Sequence, residues 1–94
     1  MKVHWNKRAL ANLANIRFYI FQENPRAASK VASRILEAAN RLAEFPEKGR
    51  LGPRPNTREL VIPNLPFIVL YRLDKNAIKI LRVFHTARKW PIRL

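Results

Sequence analysis

The chain contains no cysteine, two glycines, two histidines and only six acidic residues in a length of 94. Without cysteine, disulfide staples and thiolate metal sites are excluded, and a reducing cytoplasm is the expected compartment. The histidines, His4 and His85, have no carboxylate cluster beside either, so no metal site is expected. The glycines, Gly49 and Gly52, precede no G-K-[ST] sequence. A phosphate-cradling loop is therefore missing, and neither ATP nor a dinucleotide is expected as cofactor. No stretch approaches the roughly 18 apolar residues of a membrane span, and the start "MKVHWNKRAL" lacks the apolar run of a signal peptide.

What is present is cationic. Nineteen Lys and Arg against six Asp and Glu leave a formal charge of +13. A solvated surface needs far less, and such a field attracts polyanions, either nucleic acid or an acidic protein. The apolar fraction of 48% is ordinary for a globular chain. The length allows one modest core, so residues 1–94 are expected to form a single domain.

Along the chain, "KVHW" alternates as a short strand would. Asn6 is a good N-cap, with Trp5 and Leu10 at the positions of a hydrophobic staple. Leu10, Leu13, Ile16 or Arg17, and Ile20 follow at helical spacing, which predicts a helix over 7–22. Asn24-Pro25 restarts the pattern as a cap followed by proline at the first helical position. Ala28, Val31, Ile35, Ala38 or Ala39, and Leu42 then mark one face of a second helix ending near Glu44. Both helices are rich in alanine, which permits close approach, and the short link makes them an antiparallel hairpin. Both glycines fall in the loop-like "PEKGRLGPRPNT". Three apolar runs come next, "RELVI", "FIVLYRL" and "IKILRVFH", separated by "PNLP" and "DKNA". Links this short join neighbouring antiparallel strands. The expected class is α+β, in the order β-α-α-β-β-β, with a mainly antiparallel sheet and an N-terminal helical hairpin on one face.

Centring those turns puts Ile62 opposite Phe67 and Leu73 opposite Ile78, and opposed residues share a face. One face then carries Leu60, Ile62, Phe67, Val69, Tyr71, Leu73, Ile78, Ile80 and Phe84, with Arg82 as a misfit. It is the face expected to meet the helices. The other carries Glu59, Val61, Ile68, Leu70, Arg72, Lys79, Leu81, Val83 and His85, apolar in the centre and charged at the edges. No third layer in the sequence covers it, and such a face is a docking surface more often than an accident.

The chain also resembles a known family. Trp5 before the first helix, "NPRAA" (Asn24 to Ala28) opening the second, "PEKGRLG" before the sheet, "TREL" (Thr57 to Leu60), "FIVLYRL" (Phe67 to Leu73) and "RVFHTARKWP" (Arg82 to Pro91) together look like the RelE/ParE superfamily of toxins. The resemblance spans nearly the whole chain. It implies a small α+β toxin of a bacterial toxin–antitoxin module, in a hetero-oligomer with an acidic antitoxin whose C-terminal segment wraps around it. RelE-like members are ribosome-dependent mRNA endonucleases, and ParE members poison DNA gyrase. "FIVLYRL" and "HTARKWP" look like the ParE side. RelE-type nucleases usually carry a catalytic arginine in a phrase resembling "YRLVY"; aligned on Tyr71, that position is Ile68 here. They also tend to end on a catalytic tyrosine, and no tyrosine follows Tyr71.

Two sets of candidate residues follow. Cutting RNA through its own 2′-hydroxyl needs a base, an acid and cations on the phosphate. His85, Glu59, Arg72 and Arg88 are of the right type, and the first three are expected to share the open face. Glu59, however, has Arg58, Arg72 and Lys79 nearby, and a solvated carboxylate between cations is usually an ion pair. Arg88, Lys89, Trp90 and Arg93 suit binding better, since indole and guanidinium groups are enriched at interface hot spots. The leading expectation is a ParE-like toxin that binds and inhibits DNA gyrase. A RelE-like nuclease acting on ribosome and mRNA is the alternative. The antitoxin is expected over the apolar centre formed by Leu70 and Leu81, with carboxylates near Arg72 and Lys79 and with Arg58 and Arg82 joining from the edges.

Overall fold

The computed structural model describes residues 1–86. Strand β1 (Lys2–Trp5) leads into helix α1 (Lys7–Phe21), and α2 (Pro25–Asn40) closes with a 3₁₀ turn at Arg41–Ala43. Strands β2 (Arg50–Leu51), β3 (Thr57–Val61), β4 (Phe67–Asp74) and β5 (Ala77–His85) follow. The expected order lacked β2, a two-residue strand hidden in the glycine- and proline-rich segment and made only by pairing with β3.

Both helices start where their caps dictate. The Asn6 side chain accepts from the Ala9 N–H at 2.8 Å and the Asn24 side chain from the Ala27 N–H at 3.1 Å. Each satisfies a donor that the first helical turn leaves without a partner. Ala9, Leu13 and Ile16 of α1 are buried together with Ala28, Ala32, Ile35 and Ala39 of α2, so small residues do line the helix pair. Leu10 departs from expectation: it is 50% exposed, because the core stripe of α1 runs one residue earlier, through Ala9.

The sheet order is β1-β5-β4-β3-β2, with β1 parallel to β5 and every other pair antiparallel. Leu73 does oppose Ile78, and the Ile62 N–H bonds the Phe67 carbonyl at 3.0 Å, so both turns are centred as expected. The core lies between the helical hairpin and one sheet face, where Leu60, Ile62, Phe67, Val69, Tyr71, Ile78 and Ile80 are buried.

The expected alternation fails at one place on β5. Tyr71 pairs with Ile80 but Leu70 pairs with Arg82, so Leu81 is an extra residue, a β-bulge. A bulge reverses the side-chain parity of everything after it. Val83 turns into the core at 0% exposure, while Arg82 and Phe84 move to the face away from the helices. The misfit at Arg82 is thereby removed. Past Ile80, β1 no longer covers β5, and Asn12 of α1 reaches over to accept the Val83 N–H at 3.1 Å.

Candidate functional site

The sheet face away from the helices is built in cross-strand rows. Glu59, Leu70 and Arg82 form one, Val61, Ile68 and Phe84 a second, and Thr57, Arg72 and Lys79 a third. Arg50 of β2 extends the first row and His4 of β1 the third. The face is therefore apolar along one row and cationic along the other two.

Its acids are engaged. Glu59 Oε1 accepts from Arg50 Nε at 3.0 Å, and Asp74 Oδ2 lies 3.4 Å from Lys79 Nζ. The Asp74–Lys79 pair is about half exposed on both sides, so it contributes little to stability. For Glu59 an ion-pair partner was expected among Arg58, Arg72 and Lys79. The partner is Arg50, which only the short strand β2 brings alongside.

The expected grouping of Glu59, Arg72 and His85 on one face does not form. Glu59 and Arg72 share the open face. His85 stands opposite Phe67, on the helix-facing side, with ring centroids 5.3 Å apart at 83°. The bulge at Leu81 is the cause, since a regular strand would have left His85 on the open side.

Arg58 also departs from expectation. It pairs with Tyr71 on the core side, and its Nη1 donates to the Gly49 carbonyl at 2.7 Å and the Glu47 carbonyl at 3.2 Å. Its task is to hold the loop before β2. Of the other residues assigned to a partner, Arg72, Lys79, Arg82 and Leu70 lie on the open face, with Leu81 at its bulge. Arg88, Lys89, Trp90 and Arg93 lie outside the described residues.

Sequence reasoning missed three arginines beside this face. Arg50 arrives through β2, Arg8 through the first turn of α1, and Arg54 through the β2–β3 loop. Glu59, the partner of Arg50, is nine positions away, and Arg8 and Arg54 meet Leu70 and Arg82 from distant segments, so no local pattern marks them. Among the described residues no group of three or more His, Cys, Asp or Glu could hold a metal, and no helix is long and apolar enough to cross a membrane.

Comparison with known proteins adds what geometry alone does not carry. The family model described as the ParE toxin of the type II toxin–antitoxin system parDE matches residues 3–90. The putative toxin Y4kP of Sinorhizobium fredii is 41% identical over 90 residues, covering 96% of this chain and 93% of its own. Toxin RelE2 of Caulobacter vibrioides is 41% identical over 87 residues, covering 93% and 97%. Among solved structures, a chain of the chromosomal ParDE TA system from P. aeruginosa superposes with TM-score 0.82 at 27% identity, covering 90% of this chain and 95% of that one. The isolated E. coli RelE toxin shares the fold, with TM-score 0.60 at 14% identity over 96% and 88%. A model matching nearly the whole chain and relatives of the same length agree with the α+β architecture: this chain belongs to the ParE toxin family of the RelE/ParE superfamily, and as a type II toxin it has an antitoxin for a partner.

Proposed function

We propose that the chain acts by binding rather than by cutting RNA, as a ParE-like toxin whose target is DNA gyrase and whose antitoxin lies across the open sheet face. The observation that favours binding is the separation of the acid–base candidates. A general acid and a general base must both reach the reacting atoms, within hydrogen-bond distance or through one water. Glu59 faces Arg50 on one side of the sheet, and His85 faces Phe67 on the other. The names of its relatives divide between ParE and RelE, and the separation of Glu59 from His85 supports the ParE-like reading.

The open face suits an acidic segment. Exposed Val61 and half-buried Leu70 and Phe84 offer apolar area, Arg72 and Arg82 stand beside them, and apolar burial would supply most of the affinity. The cationic segment containing Arg88, Lys89, Trp90 and Arg93 is the proposed contact with gyrase.

Two assays on the same preparation test the target. Purified protein is expected to inhibit gyrase supercoiling and to leave message intact in a purified translation system. Discrete ribosome-dependent cleavage by the wild-type chain would overturn this assignment in favour of the nuclease. Removing residues 88–94 is expected to abolish gyrase inhibition while antitoxin binding persists.

A further inference from the structure

The first turn of α1, the β2–β3 loop and the bulge on β5 enclose a pocket of about 330 Å³ on the open side of the sheet. Arg8, Arg54 and Arg82 line it, with Leu70 and Leu81 as apolar wall, and no acidic residue contributes. The two acids of this face are held elsewhere, Glu59 by Arg50 and Asp74 by Lys79. Among the described residues no salt bridge engages any of the three arginines, and the Nε of Arg82 is buried without a hydrogen-bond partner. A buried donor on a charged group that lacks an acceptor is costly, and so are like charges around one cavity. One oxyanion entering the pocket would offset the like charges of the three arginines that line it.

We infer that this pocket is a binding site for the phosphate group of a small phosphomonoester. Phosphate fits the charge better than carboxylate, because it brings nearly two negative charges and three acceptor oxygens to the three guanidinium groups. The planar fork of arginine binds such oxygens in pairs. The volume also exceeds what phosphate alone fills, since a water molecule's share of liquid is about 30 Å³. Room remains for a ring-sized body against Leu70 and Leu81, within the usual size range of small-molecule sites. The inference is independent of the gyrase assignment. It does carry a consequence for the antitoxin: a ligand here and a segment across Leu70 and Arg82 would exclude one another.

Calorimetric titration of the full chain at fixed ionic strength tests it, with inorganic phosphate, adenosine 5′-monophosphate and adenosine as probes. Saturable binding is expected for the monophosphate, weaker binding for phosphate, and none for adenosine. Arg54→Ala, on an exposed loop, should weaken monophosphate binding by roughly tenfold or more, the loss of one charge-assisted contact. Arg82→Lys keeps the charge but loses the fork and should also weaken it. Arg26→Ala, exposed at the start of α2, should change nothing. Equal losses from Arg26→Ala and Arg54→Ala would reduce the effect to the general cationic field and overturn the site. So would absence of saturable binding by either phosphate probe, or binding of a single-stranded oligonucleotide or a glutamate-rich peptide alone. Thermal unfolding of each variant separates lost binding from lost fold.

Discussion

At the scale of the residue, Tyr71 joins the sheet to the loop that precedes β2. It is the largest of the fully buried side chains, and its hydroxyl donates to the Pro46 carbonyl at 2.8 Å while accepting the Gly49 N–H at 2.9 Å. Gly49 fits there because it lacks a side chain: a Cβ would lie 2.8 Å from the Tyr71 ring and from the Glu59 carbonyl. Arg58 closes the same node from β3. Tyr71→Phe leaves the buried Gly49 N–H without its acceptor and is expected to cost about 1–3 kcal/mol in urea unfolding. Burial raises the Tyr71 phenol above its ordinary value of 10.0, against smaller lowering effects of the Gly49 hydrogen bond and the Arg58 charge. The folded state thus keeps a proton that the unfolded chain releases, and stability must fall as pH rises above that value. The contribution is complete below pH 10.0 and is lost as pH climbs through the raised folded value. Unfolding free energies measured from pH 8 to pH 11 should fall more steeply for wild type than for Tyr71→Phe. Identical slopes would show that this phenol titrates alike in both states.

At the scale of the element, the bulge in β5 sets which residues the sheet offers to a partner. Alternation alone sends Arg82 and Phe84 to the helices and Val83 and His85 to the open face. With Leu81 extra, Val83 is fully buried against the core and Arg82 joins Leu70 outside. Val83→Asp buries a carboxylate without a partner and is expected to prevent folding. Phe84→Asp should leave a cooperative thermal transition close to that of wild type, since Phe84 stands on the open face. The reverse order of stabilities would mean that β5 is regular in solution. The helices illustrate the opposite situation. Asn6, Asn24 and Pro25 carry their start signals in the local sequence, so their positions follow without any tertiary contact.

At the scale of the molecule, the charge of +13 acts on association more than on the fold. An acidic antitoxin should be steered to the open face, where Arg72 and Lys79 stand in one row and Arg82 in the next. Stopped-flow association is expected to slow roughly tenfold or more between about 0.05 M and about 0.5 M salt, with dissociation much less affected. Arg72→Glu should weaken antitoxin binding at moderate salt. An unchanged affinity would move the antitoxin off this face.

The order of the elements apart from β2, both helix starts and both hairpin centres were legible in the sequence because each depends on neighbours in the chain: a cap, a proline, a short turn, a period of 3.6 or 2. Family membership was legible for a related reason, since its signatures are contiguous phrases such as "FIVLYRL" and "NPRAA". The make-up of the candidate site was only partly so. Arg72, Lys79 and Leu70 were placed correctly by alternation. Arg50, Arg8 and Arg54 reach the face through contacts between distant segments. Arg82, Phe84, Val83 and His85 were assigned to faces by a rule that one inserted residue reverses. Sequence alone settled what is local and periodic. Tertiary structure decided which side of the sheet each candidate side chain occupies, because strand parity depends on pairing with a neighbour, and a single extra residue in that pairing costs little locally while exchanging the two faces beyond it.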